Sequence, residues 1–131
     1  LMYTHRCSDL NIMYILGTED PYVPYAGGTV AGKNGGKVLS ADESVNFWIK
    51  QNDCRNDYEK YIFPDISNDE VKVEKYTYTD CKGENKVVLL KLVNGGHLYP
   101  QGITLPTAGN MCKDINATEE IYRFIKSLNP D

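Results

Sequence analysis

The sequence predicts an α/β fold, and three observations carry that reading. Two runs, Asn11-Ile12-Met13-Tyr14-Ile15-Leu16 and Val87-Val88-Leu89-Leu90-Lys91-Leu92-Val93, are apolar at successive positions. Successive residues of a strand point to opposite faces, so both faces of these strands are apolar, as in sheets covered by helices on each side. Two other stretches, 40–52 and 116–128, set apolar residues at helical spacing behind capping residues. The resulting order is strand, helix, strand, strand, helix, with both doubly apolar strands expected in the middle of the sheet.

The elements follow in chain order. After the first strand, a glycine- and proline-rich loop runs from Glu19 to about Leu39, a length that is usually functional or mobile inside a compact domain. Ser40-Ala41-Asp42-Glu43 reads as a capping box, because the serine hydroxyl accepts from the amide three residues on while Glu43 reaches back. The helix runs to about Asn52, with Ala41, Val45, Phe47, Trp48 and Ile49 expected against the sheet. From Asp53 to Asp69 the periodicity is poor and a surface excursion is expected. Val71 to Thr79 is rich in β-branched and tyrosine residues. Asp80 to Asn85 supplies turn chemistry before the strand at Lys86–Val93, so a hairpin is expected. Asn116 caps the last helix, whose stripe of Ile121, Phe124, Ile125 and Leu128 is expected to be buried and whose end is marked by Asn129-Pro130. Two helices cover such a sheet thinly, which leaves either a small α+β domain or part of a larger, doubly covered one.

Composition removes several function classes. The 131 residues carry a net charge of −4, and their fourteen Lys and Arg are scattered, which argues against nucleic acid or an anionic membrane surface as partner. No apolar run approaches the roughly 20 residues of a membrane helix. The chain opens on Leu1 and carries no signal peptide of its own, so preceding sequence, with any secretion signal, is expected. Cys7, Cys54, Cys81 and Cys112 stand far apart, with only His5 and His97 as companions. That spacing does not make a zinc site and no metal or cofactor is expected; it suits one or two disulfides in an oxidising compartment, with buried free thiols as the alternative. Gly27-Gly28-Thr29-Val30-Ala31-Gly32-Lys33 matches the G-x-x-x-x-G-K skeleton of a phosphate-binding loop. Asn34 replaces the magnesium-binding hydroxyl, and Gly35-Gly36 follows where the anion-binding helix N-terminus belongs, so nucleotide binding is rejected. Asn116-Ala117-Thr118 is a glycosylation sequon, but the helix cap explains the asparagine. His5 has no partner pattern and reads as terminal and exposed.

The candidate chemistry lies at the ends of the two doubly apolar strands. The first stops at Gly17-Thr18-Glu19-Asp20-Pro21 and the other at Asn94-Gly95-Gly96-His97. Open α/β sheets place their sites at such C-terminal strand ends. A carboxylate followed further on by a histidine is the hydrolase order of acid and base. Gly95 and Gly96 are expected to turn the backbone sharply through positive φ and present the imidazole. Alone, Asp20 is ordinary turn chemistry and His97 an ordinary loop residue; the pairing carries the reading. Tyr22, Tyr25 and Tyr99, in the loops around them, are candidates for substrate contact, against the alternative of packing tyrosines with a bonded hydroxyl. No G-x-S-x-G occurs, and Ser8, Ser40, Ser44, Ser67 and Ser127 all lack the strand-turn-helix context of a nucleophile elbow.

At these residues the chain resembles the C-terminal half of the secreted α/β-hydrolase esterases grouped as polyhydroxybutyrate depolymerase-like and feruloyl or acetylxylan esterase-like. The matching stretches are Ile15 through Gly28, Ser40 through Cys54 with its Phe47-Trp48, Tyr78-Thr79-Asp80-Cys81, and Gly95-Gly96-His97-Leu98-Tyr99-Pro100 with the closing helix. The resemblance spans nearly the whole chain, in the right order. It implies the C-terminal portion of an α/β-hydrolase fold over residues 1–131, with Asp20 as triad acid, His97 as general base and a Cys54–Cys81 disulfide. It also implies an extracellular carboxylic ester hydrolase whose substrate is a hydroxycinnamoyl-polysaccharide, acetyl or polyhydroxyalkanoate ester. Two departures stand out: Tyr99 takes the place of a frequent tryptophan, and the leading strands, oxyanion loop and serine elbow are absent. The upstream half of the same domain is therefore an expected partner, and this chain alone is expected to be inactive. The alternatives are a non-catalytic interaction module derived from the same fold and an unrelated small disulfide-stabilised domain, in which Asp20 and His97 would lie far apart.

Overall fold

The computed structural model describes residues 10–32 and 34–128. In chain order the elements are β1 (Ile12–Gly17), β2 (Gly28–Thr29), β3 (Lys37–Val38), α1 (Ala41–Gln51), β4 (Glu59–Ile62), β5 (Lys72–Tyr78), β6 (Val87–Val93) and α2 (Ala117–Leu128). Short 3-10 turns lie at Lys82–Glu84 and Pro106–Ala108. The architecture is mixed α/β: a four-stranded sheet in the order β1-β6-β5-β4, and a separate β2-β3 ribbon. β1 runs parallel to β6, whereas β5 pairs antiparallel with both β6 and β4, so the expected hairpin is β5-β6.

Strand alternation divides the apolar residues between two cores. Val87 and Leu89 of β6 face Val45 and Ile49 of α1, joined by Ile12, Tyr14 and Leu16 of β1. Leu90 and Leu92 face the other way, into a cluster with Val71, Val73, Cys112 and Ile115 on which Met13, Ile15 and Phe63 pack. The helix α2 lies on this second side, across a groove lined by Met13, Ile15, Ile121 and Phe124. The two helices therefore cover opposite faces of the sheet. Ser40 and Glu43 make the reciprocal capping box that starts α1. The Asn116 side chain accepts from the Glu119 amide at the start of α2, as a cap does. The end mark Asn129-Pro130 lies outside the described residues.

Four expectations are corrected. Of the two doubly apolar strands β6 alone is interior; β1 forms the edge of the sheet, and its residues from Ile12 to Leu16 are only half-buried because one side has no neighbouring strand among the described residues. Within the expected surface excursion, β4 adds a fourth strand, exposed along its length, so its residues show no apolar alternation to read. Phe47 is 48% exposed, because Val45 and Ile49 set the buried face of α1 and position 47 points off it. The stripe of α2 is also largely open: Ile121 is 38% and Ile125 56% exposed, while Ala117 and Glu120 are the buried positions. Glu120 tolerates burial through its ion pair with Arg123.

Two crosslinks fix the loops around this frame. Cys54 and Cys81 form a disulfide between the end of α1 and the β5-β6 turn. Cys112 is buried and has no disulfide partner among the described residues, and Cys7 lies outside them. The fully buried Asn52 gives its side-chain amide to the Leu10 carbonyl, while its own carbonyl accepts from the Lys82 amide. Among the described residues, no helix is long and apolar enough to cross a membrane.

Candidate active site

Parallel pairing of β1 with β6 brings their C-terminal ends side by side, with Gly17 opposite Leu92. The Thr18 amide donates to the Leu92 carbonyl and the Glu19 amide to the Gly95 carbonyl, so the two exit loops remain zipped past the sheet. Gly17 is required there: a Cβ on it would sit 2.2 Å from the Gly95 carbonyl oxygen. Gly95 and Gly96 do not take positive φ, contrary to the expectation. The left-handed residue is Asn94, at φ 66°. The glycines serve close approach instead, since a Cβ on Gly96 would meet the Ala108 carbonyl oxygen at 2.0 Å and one on Gly95 would crowd the Leu92 side chain.

On this floor Asp20 and His97 meet. Oδ1 of Asp20 accepts from the backbone amides of Tyr22 and Val23, each at 2.8 Å. Oδ2 lies 2.6 Å from Nδ1 of His97. The Asp20 side chain is 7% exposed and that of His97 52%. The acid is thus buried and held on both oxygens, while the ring it orients reaches solvent. With a proton on Nδ1 directed at the carboxylate, Nε2 is left as the accepting nitrogen. The ring is braced by the edge of Tyr22, 5.5 Å away and nearly perpendicular. The Tyr22 hydroxyl donates to Thr107 Oγ1 at 2.6 Å, and the His97 amide donates to the Ala108 carbonyl at the same distance. An acid, an oriented imidazole and an open accepting nitrogen can remove a proton from a hydroxyl and return it to a leaving group.

The other expected site residues divide. Tyr22 touches His97, and Tyr99, 69% exposed, lines the same cleft of about 350 Å³ with Ile15, Val23 and Leu98. Tyr25 does not line that cleft; with Asp20, Val23 and Ala41 it lines an adjoining hollow. The described serines are engaged elsewhere. Ser40 caps α1, Ser44 and Ser127 donate to backbone carbonyls within their helices, and Ser67 bonds Asp69 and Asp114. Ser8 lies outside the described residues. Lys33, the lysine of the rejected phosphate loop, lies outside them too, and Gly28 and Thr29 of that motif form the β2-β3 ribbon.

Sequence reasoning missed the supporting residues. Thr18, whose hydroxyl accepts from the Asn94 amide, and Asn110, which donates to the Asn94 carbonyl, pin the left-handed turn before His97. Thr18 had a signal, a hydroxyl next to Gly17 at a strand end; Thr107 and Asn110 had none, because they approach from 10 or more residues downstream through an irregular loop. Asp69, Cys112 and Asp114 also come together, with ligating atoms within 4.8 Å. Asp69 accepts from the amides of Val71 and Lys113, and Asp114 from those of Ile66 and Ser67. The carboxylates therefore serve as staples between the loop before β5 and the one before α2. No protein-family model, curated protein or solved structure matches the chain.

Proposed function

We propose that this chain supplies the acid and base of a serine carboxylic ester hydrolase of α/β-hydrolase type, acting outside the cell on feruloyl, acetyl or polyhydroxyalkanoate esters. The observation that carries the reading is the Asp20–His97 pair: a 2.6 Å contact to Nδ1, with the acid's other oxygen on two backbone amides, at the ends of adjacent parallel strands. The contact of two groups separated by 77 positions in the sequence favours this reading over an unrelated disulfide-stabilised domain, for which no such pairing is expected. In the reading offered here, a serine on an upstream segment attacks the ester carbonyl. His97 Nε2 takes its proton and then gives it to the departing alcohol, completing acylation; a water deprotonated by the same nitrogen then attacks the acyl group, and the proton passes to the serine oxygen as the acid is released. Asp20 holds the ring in the required tautomer and stabilises the imidazolium. The open edge of β1 and the bare face of α2 support an upstream segment pairing beside β1, because a half-buried apolar strand edge is costly to leave unpaired. The chain by itself would be inactive.

Turnover of a phenolic ester by the full-length protein tests this. His97→Ala is expected to lower kcat on the order of ten-thousand-fold, and undiminished turnover would refute the proposal. The same edge of β1 favours one second reading, a non-catalytic interaction module in which that edge receives a strand of another protein. A full-length protein that hydrolyses no ester yet sediments as a stable complex would support it.

A further inference from the structure

One hydrogen bond fixes only one atom of a ring. Asp20 Oδ2 holds Nδ1 of His97, but the imidazole can still pivot about that contact, because the torsion that turns a histidine ring has broad wells. The nitrogen left to accept a proton, Nε2, lies across the ring from the acid and is not guided by it. Solvent does not guide it either, since the His97 side chain is 52% exposed. The contact that limits the pivot is Tyr22, whose edge meets the imidazole at 89° with 5.5 Å between ring centroids.

Tyr22 can brace the imidazole only if it is itself held. Its amide donates to Asp20 Oδ1 at 2.8 Å and its carbonyl accepts from the Ala31 amide at 2.9 Å, so its backbone is fixed on both sides and only the side chain is free to swing. The hydroxyl removes that freedom by donating to Thr107 Oγ1 at 2.6 Å. Thr107 is a firm anchor although it is exposed. It lies in the 3-10 turn Pro106–Ala108, which opens on a proline of fixed φ and ends on the fully buried Ala108. The same segment backs the histidine: the Ala108 carbonyl accepts from the His97 amide, and the Asn110 carbonyl from the Gly96 amide. The contacts therefore close a circuit, from Asp20 to the His97 imidazole, from the His97 backbone to Ala108, from Thr107 to Tyr22, and from Tyr22 back to Asp20. Neither Tyr22 nor Thr107 lines the cleft at His97. With its proton engaged by Thr107, the Tyr22 hydroxyl is not a free donor to substrate.

We infer that the Tyr22–Thr107 hydrogen bond is a latch that positions the His97 ring, with Tyr22 as the positioning residue and Thr107 as its anchor. Its effect on turnover rests on the ester-hydrolase reading; its effect on the ring does not. Two measurements on the full-length protein test it. With 4-nitrophenyl acetate as substrate, Tyr22→Phe and Thr107→Val are each expected to lower kcat about tenfold through misplacement of Nε2 and to leave KM unchanged. The double variant is expected to lose no more than either single one, since both break the same contact. Thr107→Ser keeps the hydroxyl and is expected to retain wild-type turnover. Carbon-13 relaxation of the His97 ring is expected to give a lower order parameter in Tyr22→Phe and in Thr107→Val, and wild-type order in Thr107→Ser. The bond is exposed, so the melting temperature is expected to stay close to that of the wild type in all of these variants. A wild-type protein that hydrolyses no ester would remove the ester-hydrolase reading alone, and the lowered ring order would still establish the latch. Wild-type ring order or unchanged kcat in Tyr22→Phe and Thr107→Val, multiplied losses in the double variant, or a loss expressed in KM would overturn the inference.

Discussion

Asp20 owes its position to two backbone amides, and His97 owes its orientation to Asp20; a single substitution in either should therefore separate structure from chemistry. Asp20→Asn keeps the shape but presents an amide to Nδ1, which favours the wrong tautomer. We expect the full-length protein to keep its fold and lose kcat on the order of ten-thousand-fold, measured by ester turnover beside a thermal melt. Gly17 presents the opposite case. Any side chain there collides with the carbonyl oxygens of Gly95 and Gly96, at 2.2 and 2.5 Å from the added Cβ. Gly17→Ala should then cost about 1–3 kcal/mol, read from the denaturant midpoint, and should weaken activity by spreading the two loops. At this scale the juxtaposition of Asp20 with His97 and the Cys54–Cys81 pair were legible, because residue type and place at a strand end, together with a family resemblance, point to them. The function of Gly95 and Gly96 was not. Sequence marks a glycine pair as a place for positive φ, whereas here Gly96 is demanded by close approach of the 108–109 backbone, distant in sequence, and Gly95 by the Leu92 side chain.

Elements with strong local signals form where the sequence places them: the capping box starts α1, Asn116 caps α2, and β6 is the buried centre of the sheet. Those lacking such signals went unseen. The strand β4 alternates nothing, since both its faces are exposed, and β2 and β3 are held by ribbon pairing of two residues each. Between elements, Asp69 staples the loop before β5 to the Lys113 amide. Burial raises its pKa, but the hydrogen bonds from Lys113, Val71 and Ser67 outweigh this, and the folded value falls below the ordinary 3.8. A carboxyl depressed on folding stabilises the fold above its unfolded pKa, and that stabilisation disappears as pH falls through the lower, folded value. Asp69→Asn should accordingly be less stable than the wild type at neutral pH and should lose less on acidification below 3.8. Melting temperatures across pH 2–7 measure this, and parallel curves for the two proteins would contradict it.

Across the whole molecule, the disulfide ties the helix α1 to the sheet, and the β1 edge has no neighbouring strand among the described residues. The disulfide joins α1 to the β5-β6 turn across 27 positions. Its replacement by paired Cys54→Ala and Cys81→Ala is expected to lower the unfolding free energy by about 3 kcal/mol through loop entropy, seen in denaturant titration of the full-length protein. The β1 edge and the α2 face form the open flank, where Met13, Ile15, Ile121 and Phe124 line a groove with no covering element among the described residues. The apolar character of both faces of β1 was plain in the sequence, but its place at an edge was not, because hydrophobic pattern reports what a strand is built to bury and not which neighbour buries it. In the proposed reading, Asp20 and His97 stand beside an edge where a serine-bearing segment would pair.

Whether such a serine completes the site is decided by mapping the adduct of a serine-reactive phosphonate on the full-length protein. One adduct per molecule is expected, on a serine outside residues 1–131, formed far more slowly in His97→Ala. An adduct on Ser8, Ser40, Ser44, Ser67 or Ser127, or ester hydrolysis with no serine labelled at all, would contradict it.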